Sequence, residues 1–320
     1  MKIGIYTAST PIGFLSPKRS QRAIDFLNSK NHQVILGDLF WKSDSYRSGS
    51  IIERANEINQ LLGSNIDILM SSIGGYNTSS ILPFINTDSM SNKQLIVTGF
   101  SDSTSILYFF KSSLKNCRVL YGPALVPSFG DFESEFLHTT YESMMNRIQN
   151  KKIKYSEKSI YLWSDSKEGW EEETNLKIYQ KNKWMTNCNV EEISGRLFGG
   201  NLNSIISSYN ESWYPKIEEG DILLIEDSQK SIAEIERNIS WIFDKGWHTK
   251  ISAIILSKHE LFDDLKSSRT SIDVLNEFMD IYNIKIPIIY NTDFGHTRPM
   301  IVLELFKNIS INFLDKEITQ

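Results

Sequence analysis

Short apolar runs that end in small polar residues alternate with segments whose apolar residues recur at helical spacing. KIGIYTAS (2–9) reads as a strand, and in PKRSQRAIDFLNSK (17–30) Ala23, Ile24, Phe26 and Leu27 suit one face of a helix. HQVILGD (32–38) is the next strand. SIIERANEINQLLG (50–63) sets Ile51, Ile52, Ala55, Ile58, Leu61 and Leu62 at helical spacing and stops at Gly63, a good C-terminal cap. IDILMSS (66–72) and QLIVTGFS (94–101) are two more strands, the second running into a helix over 103–114. Strand–helix alternation of this kind predicts an open α/β sheet with parallel strands, whose functional loops lie at the carboxyl ends of those strands.

Beyond residue 150, where apolar density falls and the run KKIKYSEK (151–158) begins, the pattern changes. SIYLWSD (159–165) reads as a strand, and WEEETNLKIYQKNKWMTN (170–187) is polar with isolated tryptophans. GRLFGGNLNSII (195–206) turns through glycines into a helix. DILLIEDS (221–228), ISAIILSK (251–258) and IPIIYNTD (286–293) are strands, and SIAEIERNISWIFDKG (231–246) is an amphipathic helix closed by Gly246. The expected organisation is an N-terminal α/β domain over 1–150, a linker and recognition loop over 151–190, and a smaller α/β or α+β domain over 191–320.

Composition narrows the class. With 320 residues, 40% hydrophobic and 23% charged, the chain has the make-up of a soluble enzyme-sized protein. A net charge of −5, with basic residues dispersed, gives no reason to expect nucleic acid or an anionic membrane as a partner. Cys117 and Cys188 stand far apart, so neither a disulfide framework nor a thiolate zinc site is expected. MKIGIYTAST opens directly on a strand, and no stretch approaches a membrane span. The expectation is a cytoplasmic protein.

The polar groups at strand ends share a crevice in such a fold. The first part supplies Gly74, Gly75, Tyr76, Asn77, Ser101 and Asp102; the second supplies Glu226, Asp227, Asp293, Gly295 and His296. A hydroxyl, a carboxylate and an imidazole are the three roles of a serine hydrolase triad. GFSDS resembles the G-x-S-x-G elbow with Ser103 in place of the second glycine, although Ser101 or Asp102 would also serve as a plain helix cap. The pair Gly74–Gly75 suits either a tight turn or a close backbone approach to a ligand. His296 lies in FGHTRPM straight after a strand, and Glu226 ends an apolar strand where a carboxylate needs a partner.

Taken together, SPKR (16–19), YRSGSIIERANEIN (46–59), SSIGGYN (71–77), GFSDSTSI (99–106), YGPALVPSFG (121–130), GRLFGGNLNSI (195–205), LLIEDS (223–228) and FGHTRPM (294–300) resemble the LD-carboxypeptidase family of serine peptidases, and within it the microcin C immunity branch. The resemblance spans nearly the whole chain. It implies a Rossmann-like N-terminal domain, Ser101 as nucleophile, His296 as general base and acid, and Glu226 orienting His296. It further implies an oxyanion hole from the backbone N–H of Asp102 with Gly75 or Gly74, a chemistry needing no metal or organic cofactor, and a homodimer. Ser103 or Thr104 is then left to cap the helix.

Two substrates follow from the two branches. One is the amide joining a peptidyl or aminoacyl aspartate to a nucleotide phosphoramidate; the other is the terminal D-alanine of a murein tetrapeptide. A non-catalytic nucleotide or muropeptide binder would use the same cleft. The immunity branch carries an aromatic loop before GGNL, where this chain has Trp163, Trp170 and Trp184. Trp184, with polar neighbours on both sides, is the expected base-stacking residue. Asn77, Arg298 and Arg196 are candidates for a substrate phosphate or carboxylate.

Overall fold

The computed structural model describes residues 1–90, 94–174 and 176–320. Among them, a six-stranded sheet runs in the order Leu303–Glu304, Cys117–Tyr121, Leu95–Gly99, Ile68–Ser71, Lys2–Tyr6 and Gln33–Leu36. All its strands are parallel except the short Leu303–Glu304 edge, which returns from the far end of the chain. Chain order reverses between the strands Lys2–Tyr6 and Ile68–Ser71, the topological switch point where ligands collect in open α/β sheets.

A second, eight-stranded sheet has four parallel strands at its heart, Glu192–Asn201, Ile222–Glu226, Ala253–Ser257 and Ile288–Thr292. Antiparallel strands flank them, Met185–Thr186 on one side and Asn308–Asn312, Glu317–Thr319 and Lys154–Ser156 on the other. The fold is therefore two-domain α/β, as the alternating pattern predicts, with a mixed second sheet.

The helices form where local chemistry starts them. Ser50 and Glu53 make a reciprocal capping box at the head of Ile51–Gly63, and Ser231 with Glu234 does the same for Ile232–Asp244. Ile58, Leu61 and Leu62 are buried as their spacing requires, whereas Ile51 and Ile52 in the first turn stay largely outside. One apolar cluster lies between the first sheet and the helices Pro17–Ser29 and Ser134–Ile148, around Ile3, Ile5, Leu27, Phe129 and Met144. The other runs from Tyr108 and Phe110 through Phe198 and Leu224 to Ile255 and Ile289, so the two sheets share one continuous core.

Three sequence expectations are corrected. The strand expected over 159–165 is only Leu162–Trp163, after a 3-10 turn at Glu157–Ser159. The glycines of 195–200 do not form a turn: they lie inside the strand Glu192–Asn201, and the helix begins only at Leu202. Ser103 and Thr104 do not cap their helix. Ser103 Oγ bonds Ser71 Oγ at 3.0 Å, and Thr104 Oγ1 donates to the Ser101 carbonyl at 2.7 Å.

Candidate active site

A cavity of about 270 Å³ opens where the carboxyl ends of the two parallel arrays meet. Its wall takes Thr10 and Gly74–Tyr76 from the switch point of the first sheet, and Ser101 and Asp102 from the next strand end. Asn201, Asp227, Glu260 and His296 come from the strand ends of the second sheet.

Ser101 sits two residues beyond the strand Leu95–Gly99, at the head of a 3-10 turn that leads into the helix Thr104–Ser113. Its φ is +61°, a left-handed conformation that a residue with a Cβ adopts only when its surroundings enforce it. The enforcing bonds are visible: the Ser101 amide donates to the Tyr121 hydroxyl at 3.2 Å, while its carbonyl accepts from Thr104 Oγ1 and from Ser204 Oγ at 3.3 Å. Gly74 packs directly against this turn. A Cβ there would stand 2.9 Å from Ser101 Cβ, 3.1 Å from Ser101 Oγ and 3.4 Å from the Asp102 nitrogen. The Asp102 side chain points away from catalysis, accepting from the Thr78 amide at 2.9 Å.

Across the cavity, His296 Nδ1 lies 2.5 Å from Glu226 Oε2. Glu226 has no exposed surface. Its other oxygen accepts from the Tyr121 hydroxyl and from Asn201 Nδ2 at 3.1 Å, so the buried carboxylate is fully hydrogen-bonded. Gly295 makes this approach possible, since a Cβ at that position would fall 2.6 Å from Glu226 Oε2. Phe100 meets the imidazole edge to face, with ring centres 4.9 Å apart.

Electrostatics follow from this packing. Burial alone would lower the pKa of His296, but the Glu226 carboxylate outweighs it, aided by Glu260 and Asp227, and holds the imidazole above its ordinary value. Burial would raise Glu226, yet His296 and the donors from Tyr121 and Asn201 hold it below the ordinary carboxylate range. Asp227, desolvated and beside Glu226, is pushed up to about 6. Binding Nδ1–H to a carboxylate leaves Nε2 as the ring nitrogen able to take a proton. Among the described residues no hydrogen bond joins Nε2 to Ser101 Oγ; such contacts commonly tighten only when substrate fills the site.

The sequence candidates thus divide. Ser101, Asp102, Gly74, Gly75, His296 and Arg298 line one cavity, and Glu226 stands directly behind His296. Asn77 does not line it, and its Oδ1 accepts from Arg54 at 3.0 Å. Arg196 is bound to Asp221 at 2.7 Å, likewise outside the cavity wall.

The expectation for Trp184 is corrected: its side chain is fully buried, packs on Phe294 and donates Nε1–H to Asp293 at 2.7 Å, so it has no free face for a base. Trp170 lines the cavity instead, held by Nε1–H to Ser16 Oγ at 3.0 Å and by the Arg19 guanidinium 3.8 Å from the ring centre.

Residue-by-residue reading also missed Tyr121 and Asn201, which tie the Ser101 turn to Glu226. Their signal was the placement of a polar group at the end of an apolar strand. Lys230 and Asn203 in the cavity wall were missed too.

Comparison with known proteins agrees with this architecture. Residues 3–122 match the model of the LD-carboxypeptidase N-terminal domain, and residues 194–311 match that of the LD-carboxypeptidase C-terminal domain. The chain is 39% identical to the microcin C7 self-immunity protein MccF of Escherichia coli over 99% of its own length and 92% of that protein's. A solved structure of that protein without ligand superimposes with a TM-score of 0.93 at 38% identity, covering 99% of this chain and 95% of the other. A structure of the same protein in complex with aspartyl sulfamoyl adenosine matches equally well, with a TM-score of 0.93, 38% identity and the same coverage.

Proposed function

Because this chain belongs to the LD-carboxypeptidase family of serine peptidases, we propose that Ser101, His296 and Glu226 form its triad and that it hydrolyses the amide between an acidic aminoacyl or peptidyl group and a nucleotide phosphoramidate. The observation that carries the reading is the 2.5 Å contact of His296 with a fully buried Glu226, in a cavity shared with a serine held at φ +61°.

In this mechanism Ser101 Oγ attacks the amide carbonyl carbon while His296 Nε2 takes the hydroxyl proton. The carbonyl π electrons move onto oxygen, and the N–H of Asp102 with that of Gly75 or Gly74 stabilises the oxyanion. Collapse breaks the C–N bond as His296 returns its proton to the leaving nitrogen, which gives an acyl ester on Ser101. Water then attacks the ester and passes its proton through His296 to Ser101 Oγ, releasing the carboxylic acid. Throughout, Glu226 stays ionised and stabilises the transient imidazolium.

For the substrate, the support is the relative's complex with aspartyl sulfamoyl adenosine, together with Trp170, Lys230 and Arg298 in the wall of this cavity. An indole face and two cations suit a base and an anionic linkage. The family-level alternative is release of terminal D-alanine from murein tetrapeptides. On this reading the protein is a cytoplasmic homodimer acting in detoxification, with a division near residue 150 between the domain of the nucleophile and the segment leading to the domain of His296 and Glu226. Among the described residues no helix is long and apolar enough to cross a membrane.

The deciding experiment offers aspartyl sulfamoyl adenosine and an L,D-tetrapeptide to wild type and to Ser101→Ala. Release of aspartate from the first by wild type alone supports the proposal. Cleavage of only the tetrapeptide would move it to the alternative, and equal activity of the alanine variant would remove the serine mechanism.

A further inference from the structure

Behind the His296 loop lies a buried polar cluster that has no part in the mechanism above. Asp293, without exposed surface, directly follows the strand Ile288–Thr292, three residues before His296. Its Oδ1 accepts from Lys258 Nζ at 2.5 Å, and its Oδ2 accepts from Trp184 Nε1 at 2.7 Å and Asn182 Nδ2 at 2.8 Å. Lys258 Nζ uses its other donors on Asn182 Oδ1 at 2.8 Å and the Asn291 carbonyl at 2.6 Å. None of these four side chains lines the cavity. A buried ion pair is weak evidence for stability, since desolvation offsets most of its attraction, and such pairs are better attested as devices that fix one arrangement.

What this cluster fixes is the loop carrying His296. The Asp293 carbonyl accepts from the Ile301 amide at 2.8 Å, which closes the loop over 293–301 at its base. Ser164 and Arg298 exchange both backbone hydrogen bonds at 2.9 Å, which pins the same loop beyond His296. Both Trp184 and Ser164 belong to the one segment that also brings Lys167 and Trp170 to the cavity. That segment therefore grips the His296 loop on both sides while its Lys167 and Trp170 line the cavity.

We propose that Trp184 and Asn182 are positioning residues which, through the Asp293–Lys258 pair, hold His296 against Glu226 and couple its orientation to the segment that lines the cavity. The inference rests on His296 being the base. The groups facing the imidazole are Glu226, Asp227 and Glu260, with His259 nearby.

The test compares Trp184→Phe, which keeps an aromatic ring against Phe294 but removes the Nε1–H donor, with Asn182→Ala, which lies at a half-buried loop position. Steady-state kinetics on aspartyl sulfamoyl adenosine are read across pH, with folding checked by circular dichroism. For a misplacement near 1 Å the expected result in both is a kcat loss of up to about 10²-fold with KM little changed. The acid limb of kcat/KM should also shift to lower pH, because an imidazole loosened from Glu226 loses the interaction that raises its pKa. A purely structural role would lower melting temperature and leave the limb in place.

Folded variants with wild-type kcat and pH profile overturn the inference. Ser101→Ala runs alongside: if it is inactive while both variants behave as wild type, only the positioning role fails. If Ser101→Ala is active, the reading of the site fails first.

Discussion

Replacing Glu226 by glutamine probes the site with almost no change of shape. In the folded protein Glu226 Oε1 faces two donors, the Tyr121 hydroxyl and Asn201 Nδ2, while Oε2 faces His296 Nδ1. The glutamine oxygen must therefore take the Oε1 position, because an amide nitrogen there would meet two donors. The NH2 group then points at Nδ1 and forces the proton onto Nε2, the nitrogen required as the base. In a triad this carboxylate-to-amide change costs about 10⁴-fold in kcat, of which a single charge-assisted hydrogen bond accounts for only roughly 1.5–3 kcal/mol; the wrong tautomer supplies the rest.

A second readout has a definite sign. In wild type the His296 pKa is raised above 6.5, so the base form is lost as pH falls through that raised value, and the acid limb of kcat/KM lies above 6.5. Without the Glu226 carboxylate only Glu260 and Asp227 still oppose burial, which lowers the imidazole relative to wild type, so the residual activity of Glu226→Gln should show its acid limb at lower pH. The assay is aspartate release from aspartyl sulfamoyl adenosine between pH 5 and 9 (a window of about two units either side of neutrality). A kcat within tenfold of wild type together with an unmoved acid limb would refute the reasoning.

Gly74→Ala should cut kcat by about 10²-fold, since the new methyl would meet Ser101 Cβ and displace the nucleophile by a fraction of an ångström; single-turnover kinetics would detect it. Trp170→Ala should raise KM for the nucleoside substrate by the equivalent of about 1–3 kcal/mol while sparing an L,D-tetrapeptide, checked with both substrates side by side. Glu57 is desolvated and its pKa is pushed up from 4.5 to about 7, although the Thr7 and Leu39 amides donate to it. The folded protein thus favours the protonated acid: the stability it contributes is full below 4.5 and lost as pH rises to about 7. Melting temperatures should fall across that window, and Glu57→Gln should flatten the decline.

How far the chain could be read depended on the range of the interaction. The strands over 66–72, 94–101, 221–228 and 286–293 were legible because each is a short apolar run with a polar end, and in parallel sheets those ends converge. Ser101, Glu226 and His296 stood out for that reason. Tyr121 also ends an apolar strand, but its partner Glu226 is 105 residues away and nothing local separates it from an ordinary core tyrosine. The strand Glu192–Asn201 was misread since consecutive glycines signal a turn, whereas here they let strand and neighbours approach closely. Trp184 misled through its polar neighbours: the indole is buried because Asp293 satisfies its N–H, a partner more than a hundred residues distant.

The central claim is that Ser101 becomes covalently acylated with His296 as its base. The most direct measurement treats the protein with a fluorophosphonate and locates the adduct by peptide mass spectrometry. The expected result is a single phosphonyl group on the peptide containing Ser101, formed rapidly by wild type, slowly by His296→Ala and not by Ser101→Ala, with loss of hydrolysis in step with labelling. An adduct on another residue, or full hydrolysis by protein whose Ser101 is completely blocked, would contradict it.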